Sequence, residues 1–454
     1  MFAAILLSLS VWATPPPPPL PRDELLADLD AIVKVMEVYH PNPYYSRSPA
    51  EIAEERTALT ETLPEQVPHL DAFRVAHAFV LSFNDAHTRL YPTDAIAAQR
   101  DAAPRLPLSI GVEDGVLEIL ASEQPALIGA QITALNGVAS PVLVDRLARH
   151  VNRETRTLDE AVLSRSFPYY LWLATGWEGP FVVTLSDGRV HTLDGVPAPP
   201  REAPAPSPAV RHQILDGNVA YLQIRDFYTG NRRTYRRAYA EAFRAFRDAG
   251  AQSTLIVDMR DHDGGDHRYG TDLIRYLTDA PVANFAYSEW RVTPRFQEVF
   301  RNVYVPRGLH WSIPLVKWFH PDLRAIYTAA DHTNGRVEYP PIKPHNARKR
   351  FPGEVLVLSN EDTYSAGTCF LALIKDGGLG TIIGRPSGNV ANFHADALLR
   401  FELPGVGARM QISNSFIVRP SGDLRHAPVQ PDVLLPRGAD ALAEALHRAN
   451  TTQP

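Results

Sequence analysis

Three short runs of apolar residues place the strongest constraint on the fold of this 454-residue chain. They are TLIVDM (Thr254–Met259), VLVL (Val355–Leu358) and TIIG (Thr381–Gly384). Uninterrupted apolar runs of this kind are typical of strands buried on both faces of a sheet. The first of these runs is preceded by the segment RRTYRRAYAEAFRAFRDAG. This segment has helical periodicity and ends at Gly250. The alternation of strand and helix over residues 210–440 predicts an α/β fold.

The length of the chain predicts more than one domain, because a single compact core rarely grows this large. Hydrophobic patterning divides the chain into segments of different character. We predict a Pro-rich linker over 14–22, a helical domain over 23–103, a β-rich module over 104–200, the α/β core over 201–440, an aromatic- and Pro-rich insertion or lid within it at about 280–350, and a C-terminal tail over 441–454.

The first residues predict export. Phe2–Trp12 form an apolar stretch typical of a signal peptide, and Val11-Trp12-Ala13 fits the small-residue rule for cleavage. An uncleaved apolar anchor is the alternative, although a bilayer span needs about 20 such residues. We expect a signal peptide over residues 1–13, a periplasmic or secreted protein, and no membrane span after signal removal.

Charge and cysteine content exclude two classes of protein. The net charge is −6, the isoelectric point is near 6.2, and no basic domain is present. We therefore expect no nucleic-acid partner. Cys369 is the only cysteine, so an internal disulfide is impossible and a disulfide-stapled scaffold is excluded.

Ser365 is a candidate nucleophile because of its position between a predicted strand and a predicted helix. It lies in SNEDTYSAGTCFLALIKDGG, after the VLVL run and before the helical run CFLALIK. Backbone N–H groups at a helix N-terminus favour negative charge, which suits the oxyanion formed when a serine attacks a carbonyl. A helix cap is the alternative, since serine caps helices very often.

Two glycines follow the first buried strand, in VDMRDHDGGDHRYG. Gly264 and Gly265 would let the backbone approach a ligand closely and offer N–H donors, as one wall of an oxyanion hole. A plain glycine turn is one alternative, and a metal site is another. The metal site would be built from Asp261, His262, Asp263, Asp266 and His267. Their spacing matches no familiar calcium or zinc pattern, so we expect neither a metal nor another cofactor.

His87 is a candidate general base in LSFNDAHTRLY, where it follows a predicted helix. Histidine is the usual base near neutral pH, and its ordinary pKa near 6.5 predicts an acidic limb of activity at about pH 6–7. A surface histidine without a function is the alternative.

Several motifs, in chain order, together resemble the C-terminal-processing, or tail-specific, serine peptidases. The motifs are DAHT (Asp85–Thr88), LIVDMRDHDGG (Leu255–Gly265), TYSAGT (Thr363–Thr368), IIGRPSGN (Ile382–Asn389) and VQPDV (Val429–Val433), while YHPNPY (Tyr39–Tyr44) and ITALNG (Ile132–Gly137) are similar to the family's N-terminal helical part and PDZ-like module. The resemblance implies a crotonase-like ββα core, a PDZ-like module over 104–200, and hydrolysis of peptide or unfolded-protein substrates.

The resemblance also implies roles for individual residues. Ser365 falls on the nucleophile, with oxyanion donors from Gly264 or Gly265 and from the Ala366 amide. The branch that includes the tricorn core and the retinoid-binding repeats has a DGHT-like motif whose histidine is the base. DAHT is similar to that motif, which implies that His87 is the base.

A second branch of the family uses a lysine base in the stretch that corresponds to IIGRPSGN. Here that stretch contains Arg385 and Asn389 but no lysine. Lys375 lies ten residues beyond Ser365 on the same predicted helix, which places it about 15 Å away. Arginine cannot deprotonate, so a Ser–Lys pair is disfavoured.

The chain departs from the family pattern at its acidic residues. Thr368 stands where an acid is common, and no Glu precedes VQPDV at the expected place. Asp423 is our candidate for the acid that orients the histidine, while Asp85 and Asp432 are rivals that could be purely structural. Two other functions stay open: a non-catalytic ligand- or peptide-binding protein on the same scaffold, and an esterase.

Overall fold

The fold is that of a computed structural model, which describes residues 18–151, 154–198, 208–250 and 252–451. The expected signal peptide and residues 14–17 of the expected Pro-rich linker lie outside the described residues. Among the helices of these four ranges, none combines the length and apolarity that crossing a membrane requires.

The N-terminal region consists mainly of helices. Its elements are β1 (Leu20–Pro21), α1 (Arg22–Tyr39), α2 (Pro49–Thr60), β2 (Gln66–Val67), α3 (His69–Leu81), β3 (Arg89–Tyr91) and α4 (Asp94–Ala102). Leu25, Leu29 and Ile32 form the buried face of α1 and share a hydrophobic core with Phe73 and Phe79 of α3. The spacing of these leucines and isoleucine on one helical face explains why α1 packs here.

The next region is a small module with its own core. Its elements are β4 (Leu108–Glu113), β5 (Val116–Ser122), β6 (Gln131–Leu135), β7 (Val138–Ala139), α5 (Ser140–Ala148), α6 (Arg156–Thr175), β8 (Phe181–Leu185) and β9 (Val190–Leu193). The strands pair antiparallel in the order β4–β5–β6–β8–β9, with β7 on β6. Asp114 and Gly115 both have positive φ, as a tight hairpin turn between β4 and β5 requires.

The remaining elements are a mixture of strands and helices. They are β10 (Val210–Leu215), β11 (Val219–Ile224), α7 (Arg232–Asp248), β12 (Thr254–Asp258), α8 (His267–Leu277), β13 (Tyr287–Arg291), α9 (Pro294–Tyr304), α10 (Ile313–Val316), α11 (Pro321–Thr328), β14 (Asn334–Val337), β15 (Glu354–Ser359), α12 (Ala366–Gly377), β16 (Thr381–Gly384), β17 (Phe393–Ala395), β18 (Leu399–Leu403), β19 (Ala408–Ile412), β20 (Ser415–Val418), β21 (Val433–Leu434) and α13 (Ala441–Thr451).

A six-stranded sheet in the order β10–β11–β12–β15–β16–β21 forms the core of this part, which confirms the predicted α/β class. All neighbouring strands are parallel except β10, which is antiparallel to β11. Every residue of β12 is buried. Leu255 and Val257 face the core shared with α7, α8 and α12, whereas Ile256 faces the core shared with α13. Burial on both faces explains the uninterrupted apolar runs in the sequence.

Residues 280–350, expected as an insertion or lid, are tied into a second sheet. This antiparallel sheet has the order β14–β13–β20–β17, so β13 is an inner strand held on both sides. Phe296 and Phe300 of α9 pack into the same core as α1. The first part of the expected C-terminal tail forms α13, which covers one face of the six-stranded sheet.

Parallel strands bring the two glycine- and serine-containing loops to one edge. Gly264 and Gly265 follow β12, and Ser365 follows β15, the adjacent strand. The carboxyl ends of neighbouring parallel strands lie side by side, which is the usual position of a ligand site in α/β sheets.

Candidate active site

Ser365 occupies the position before α12, but it does not cap the helix. Its side chain makes no capping hydrogen bond. Its backbone has φ 53° and ψ −116°, a combination that costs energy for a residue with a Cβ. The cap explanation therefore does not account for this serine.

His87 is the side chain that meets Ser365. Its Nε2 lies 3.1 Å from Ser365 Oγ. The imidazole is stacked between the rings of Tyr364 and Phe393, with centroid distances of 5.3 and 5.6 Å. Burial lowers the pKa of His87 to about 4, opposed by the nearby Asp85 carboxylate. The imidazole is thus neutral at pH 7, and we expect the acidic limb of activity to lie below the pH 6–7 that an ordinary histidine predicts.

None of the three candidate acids contacts the other ring nitrogen, Nδ1, of His87. This buried nitrogen has no hydrogen-bond partner within the described ranges. We predicted that Asp423 orients the ring, but both its carboxylate oxygens accept hydrogen bonds from the guanidinium of Arg425, which is only two residues away. Asp432 pairs with Lys375 and accepts the Ile382 N–H.

Asp85 lies beside His87 and supports its backbone rather than its ring. Its carboxylate accepts the His87 N–H at 2.9 Å and the Thr88 hydroxyl at 2.5 Å. His40 Nε2 lies 3.2 Å from the same carboxylate, and the His394 ring packs at a tilt against His40, with ring centroids 4.2 Å apart. Burial would raise the pKa of Asp85, but the hydrogen bond with His40 and the neighbouring histidines hold it well below its ordinary value.

The side chains of the Asp- and His-rich loop at 261–267 do not converge on one point. The group of residues that could bind a metal lies instead beside Asp85. Of the described residues, His40, Asp85 and His394 bring ligand atoms within 4.8 Å of one another. In the loop, Asp266 instead binds Arg268, and Asp261 binds Asn360. We interpret the hydrogen bond between His40 and Asp85, with His394 packed against His40, as support for the DAHT loop.

The two glycines differ in whether their backbone N–H groups already donate a hydrogen bond. Gly264 N–H donates to His262 Nδ1 at 3.0 Å. The N–H groups of Gly265 and Ala366 have no hydrogen-bond partner in the part of the chain that the structure describes. An added Cβ on Gly264 would lie 2.6 Å from Ser365 Cβ, so only glycine permits this approach.

A buried pair that the sequence did not reveal links the two loops. Asn389 Oδ1 accepts the Ser365 N–H at 2.5 Å, and Asn389 Nδ2 donates to Glu154 at 2.8 Å. The other oxygen of Glu154 accepts the Ala86 N–H at 3.1 Å, next to His87. Glu154 lies in an unremarkable stretch, VNRETR, where no pattern marks it. In the sequence, Asn389 is notable only because the stretch IIGRPSGN contains no lysine.

No lysine contacts Ser365 in the described ranges. Lys375 is paired with Asp432, and Lys317 donates to the Tyr327 carbonyl. Lys343 and Lys349 are exposed. The arrangement around Ser365 therefore contains an imidazole and no ammonium.

Comparison with known proteins identifies the family. Residues 218–435 match the family model described as peptidase family S41. Among solved structures, mature CPAF complexed with lactacystin is 15% identical, with 94% of this chain and 97% of that chain covered and a TM-score of 0.66. Mature CPAF is 14% identical, with coverage of 95% and 99% and a TM-score of 0.62. These likenesses establish a shared fold.

No curated protein sequence matches the chain. The family match includes β11, β12, β15, α12 and β16, and so covers both the Gly264-Gly265 turn and Ser365. The chain therefore contains a domain of peptidase family S41, in residues 218–435.

Proposed function

We propose that this peptidase cleaves peptide bonds with Ser365 as nucleophile and His87 as general base. Ser365 Oγ attacks the carbonyl carbon of the substrate, and its proton passes to His87 Nε2. His87 then returns the proton to the leaving amine, and water hydrolyses the resulting acyl-enzyme. The observation that carries this proposal is the 3.1 Å contact between Ser365 Oγ and His87 Nε2.

We assign the oxyanion to the N–H groups of Gly265 and Ala366. Both are unpaired among the described residues, and Ala366 is the first residue of α12, where the helix dipole favours negative charge. We assign Gly264 a different role, because its N–H already donates to His262. Since it has no side chain, Gly264 leaves room for Ser365.

The oxyanion assignment needs a test that spares the fold. Gly265→Ala is unsuitable, since the new Cβ would lie 2.4 Å from the backbone of Phe227. Replacing the Ala366 amide by an ester, through incorporation of lactic acid, removes one donor without adding an atom. The expected loss in kcat is about 10²–10³. An unchanged kcat would exclude Ala366 as a donor.

The Glu154–Asn389 pair acts as a positioning element in this proposal. Through Asn389 it fixes the amide of Ser365, and through Ala86 it fixes the backbone beside His87. The pair thus supports the two loops that carry nucleophile and base. Stacking on Tyr364 and Phe393, rather than an acid, would hold the His87 ring.

The substrate and the setting follow from the family and the sequence. Membership of a peptidase family implies peptide or protein substrates. We infer a crotonase-like ββα core around the parallel strands β12 and β15, and a PDZ-like module in 104–200 that holds a peptide end or gates the cleft. The apolar stretch Phe2–Trp12 supports export to the periplasm or beyond. Sequencing the N-terminus of protein recovered from cells would test this.

The experiment that tests the proposed function is hydrolysis of an unfolded protein such as reduced casein. Ser365→Ala should abolish it, while the melting temperature stays within a few degrees because the serine caps nothing. Ser253→Ala, at an exposed position just before β12 and at the opposite end of that strand from Gly264, is the matched control and should retain full activity. Retained hydrolysis in Ser365→Ala would refute the assignment.

A further inference from the structure

An exposed apolar surface lies on the segment between α9 and α11. It consists of Leu309, Trp311, Leu315, Val316, Trp318 and Phe319, and we call it the 309–319 surface. Trp311 is 73% exposed, Trp318 60% and Phe319 87%. Soluble proteins seldom expose aromatic side chains so fully and so close together, and such patches usually bind a protein or a membrane.

The segment lies on the protein surface as a chain of short helical turns. A 3₁₀ turn over Arg307–Ser312, α10, and a second 3₁₀ turn over Lys317–Phe319 follow one another. Within 307–320 only Ile313 is buried. The segment is therefore anchored inward at one point, and its large side chains face solvent.

Charge distinguishes this segment from the rest of the chain. Residues 299–321 contain no Asp or Glu but include Arg301, Arg307 and Lys317, in a chain whose net charge is −6. The Lys317 ammonium lies 5.3 Å from the Trp318 ring centre, and Arg307 is exposed. Aromatic side chains beside basic ones are the composition that segments at a bilayer interface use, with the rings at headgroup level and the cations near anionic lipid.

We propose that the 309–319 surface docks the protein onto an anionic lipid bilayer, without spanning it. The occupant is argued from charge. A symmetric contact with a second copy would bring two patches of the same basic charge together, whereas an anionic bilayer offers both an apolar layer and opposite charge. This docking is independent of the roles assigned to Ser365 and His87.

The test measures binding of the full chain to vesicles of phosphatidylglycerol and phosphatidylcholine, with pure phosphatidylcholine as the neutral comparison. Trp311→Ser with Phe319→Ser should weaken partitioning at least about tenfold. Arg307→Gln with Lys317→Gln should weaken it about tenfold or more, since each basic residue near an anionic surface contributes about fivefold. Casein hydrolysis in solution should be unchanged in both.

Matched controls come from the 104–200 module. Val142 and Val190 are 62% and 60% exposed and lie outside the 309–319 surface, so Val142→Ser with Val190→Ser should bind vesicles as the wild type does. An environment-sensitive dye on Leu315→Cys should shift to the blue on anionic vesicles, whereas the same dye on Val190→Cys should not. The single native cysteine is buried and will not take the label.

The dye reports on the 309–319 surface itself, so it separates docking there from binding by the apolar N-terminal stretch. Two results would overturn the proposal. One is a dye on Leu315→Cys that stays unshifted on anionic vesicles. The other is a wild type that sediments as a dimer which Trp311→Ser with Phe319→Ser dissociates, since the surface would then be occupied by a second copy.

Discussion

Replacement of Glu154 by glutamine separates positioning of the nucleophile from stability of the fold. The buried carboxyl accepts N–H groups from Ala86, Asn389 and Val390. Glutamine has the same shape, but one of its two terminal atoms is a donor. Once the carboxyl is ionised, both of its oxygens accept, whereas glutamine can satisfy only one side, and either the Ala86 N–H or the Asn389 amide will then face another donor.

The effect of Glu154→Gln on stability can be worked out from burial. Burial raises the pKa of Glu154 from its ordinary 4.5 to about 8. The unfolded chain releases this proton near pH 4.5 and the folded protein only near pH 8, so at pH 7 the side chain costs folding about 3 kcal/mol. Glutamine removes that cost and introduces one unpaired buried donor, at about 1–3 kcal/mol. The free energy of unfolding should change little or rise.

The same difference in the Glu154 pKa between the folded and unfolded chain sets the direction in which stability changes with pH. Because the folded pKa of Glu154 is raised, its contribution is most favourable below pH 4.5 and is lost as pH rises towards 8. The stability of Glu154→Gln relative to wild type should therefore increase between pH 5 and pH 8. Urea unfolding of both proteins at these two pH values measures the difference.

Activity should move in the opposite direction. Without a fixed Asn389, the Ser365 amide loses its anchor, and a misplacement of about 1 Å costs about 100-fold. At about pH 9, where the wild-type Glu154 is ionised, we expect kcat for casein to fall about 10–100-fold, with KM little changed; at pH 7, where the wild-type carboxyl is largely protonated, the difference should be smaller. The exchange of Glu154→Gln with Asn389→Asp places an amide opposite a carboxylate again and should recover most of kcat. A kcat within about twofold of wild type in Glu154→Gln at about pH 9, or a loss no larger than the loss of folded protein, would refute the positioning role.

Two further predictions concern the base and its missing acid. The acidic limb of kcat/KM should lie near pH 4 rather than near pH 6–7, because neutral His87 is the active form and burial lowers its pKa to about 4; activity should rise through pH 4 and level off by about pH 6. A limb near pH 6.5 in a pH-rate profile would contradict the burial argument. Asp423→Asn should leave kcat/KM within about twofold, because the Asp423 carboxylate is bonded to Arg425; a loss above about tenfold would show that it reaches His87 during catalysis.

The sequence predicts well those features that depend on local pattern. The apolar runs at Thr254–Met259 and Val355–Leu358 correspond to strands buried on both faces, which no other element explains as simply. The positions of Ser365 and of the two glycines after adjacent strands follow from the topology of a parallel sheet. DAHT drew attention to His87, although only folding could bring residues 278 positions apart within 3.1 Å.

What the sequence could not predict depends on distant contacts. Glu154 belongs to the loop before α6, and nothing nearby signals that it meets Asn389, 235 residues away. The distance of Asp423 from VQPDV along the chain predicts that it orients the histidine, but its carboxylate is bonded to the neighbouring Arg425. Residues 280–350 have no clear periodicity, yet β13 is held there by β20, a strand from much later in the chain.

The central claim is that His87 activates Ser365, and the rate of labelling by a fluorophosphonate tests it most directly. The adduct is located by mass spectrometry in wild type and in His87→Gln, at pH 7. The account predicts a single adduct on Ser365 in wild type and a rate about 10²–10⁴ lower in His87→Gln. An adduct on another residue, or equal labelling rates in the two proteins, would contradict it.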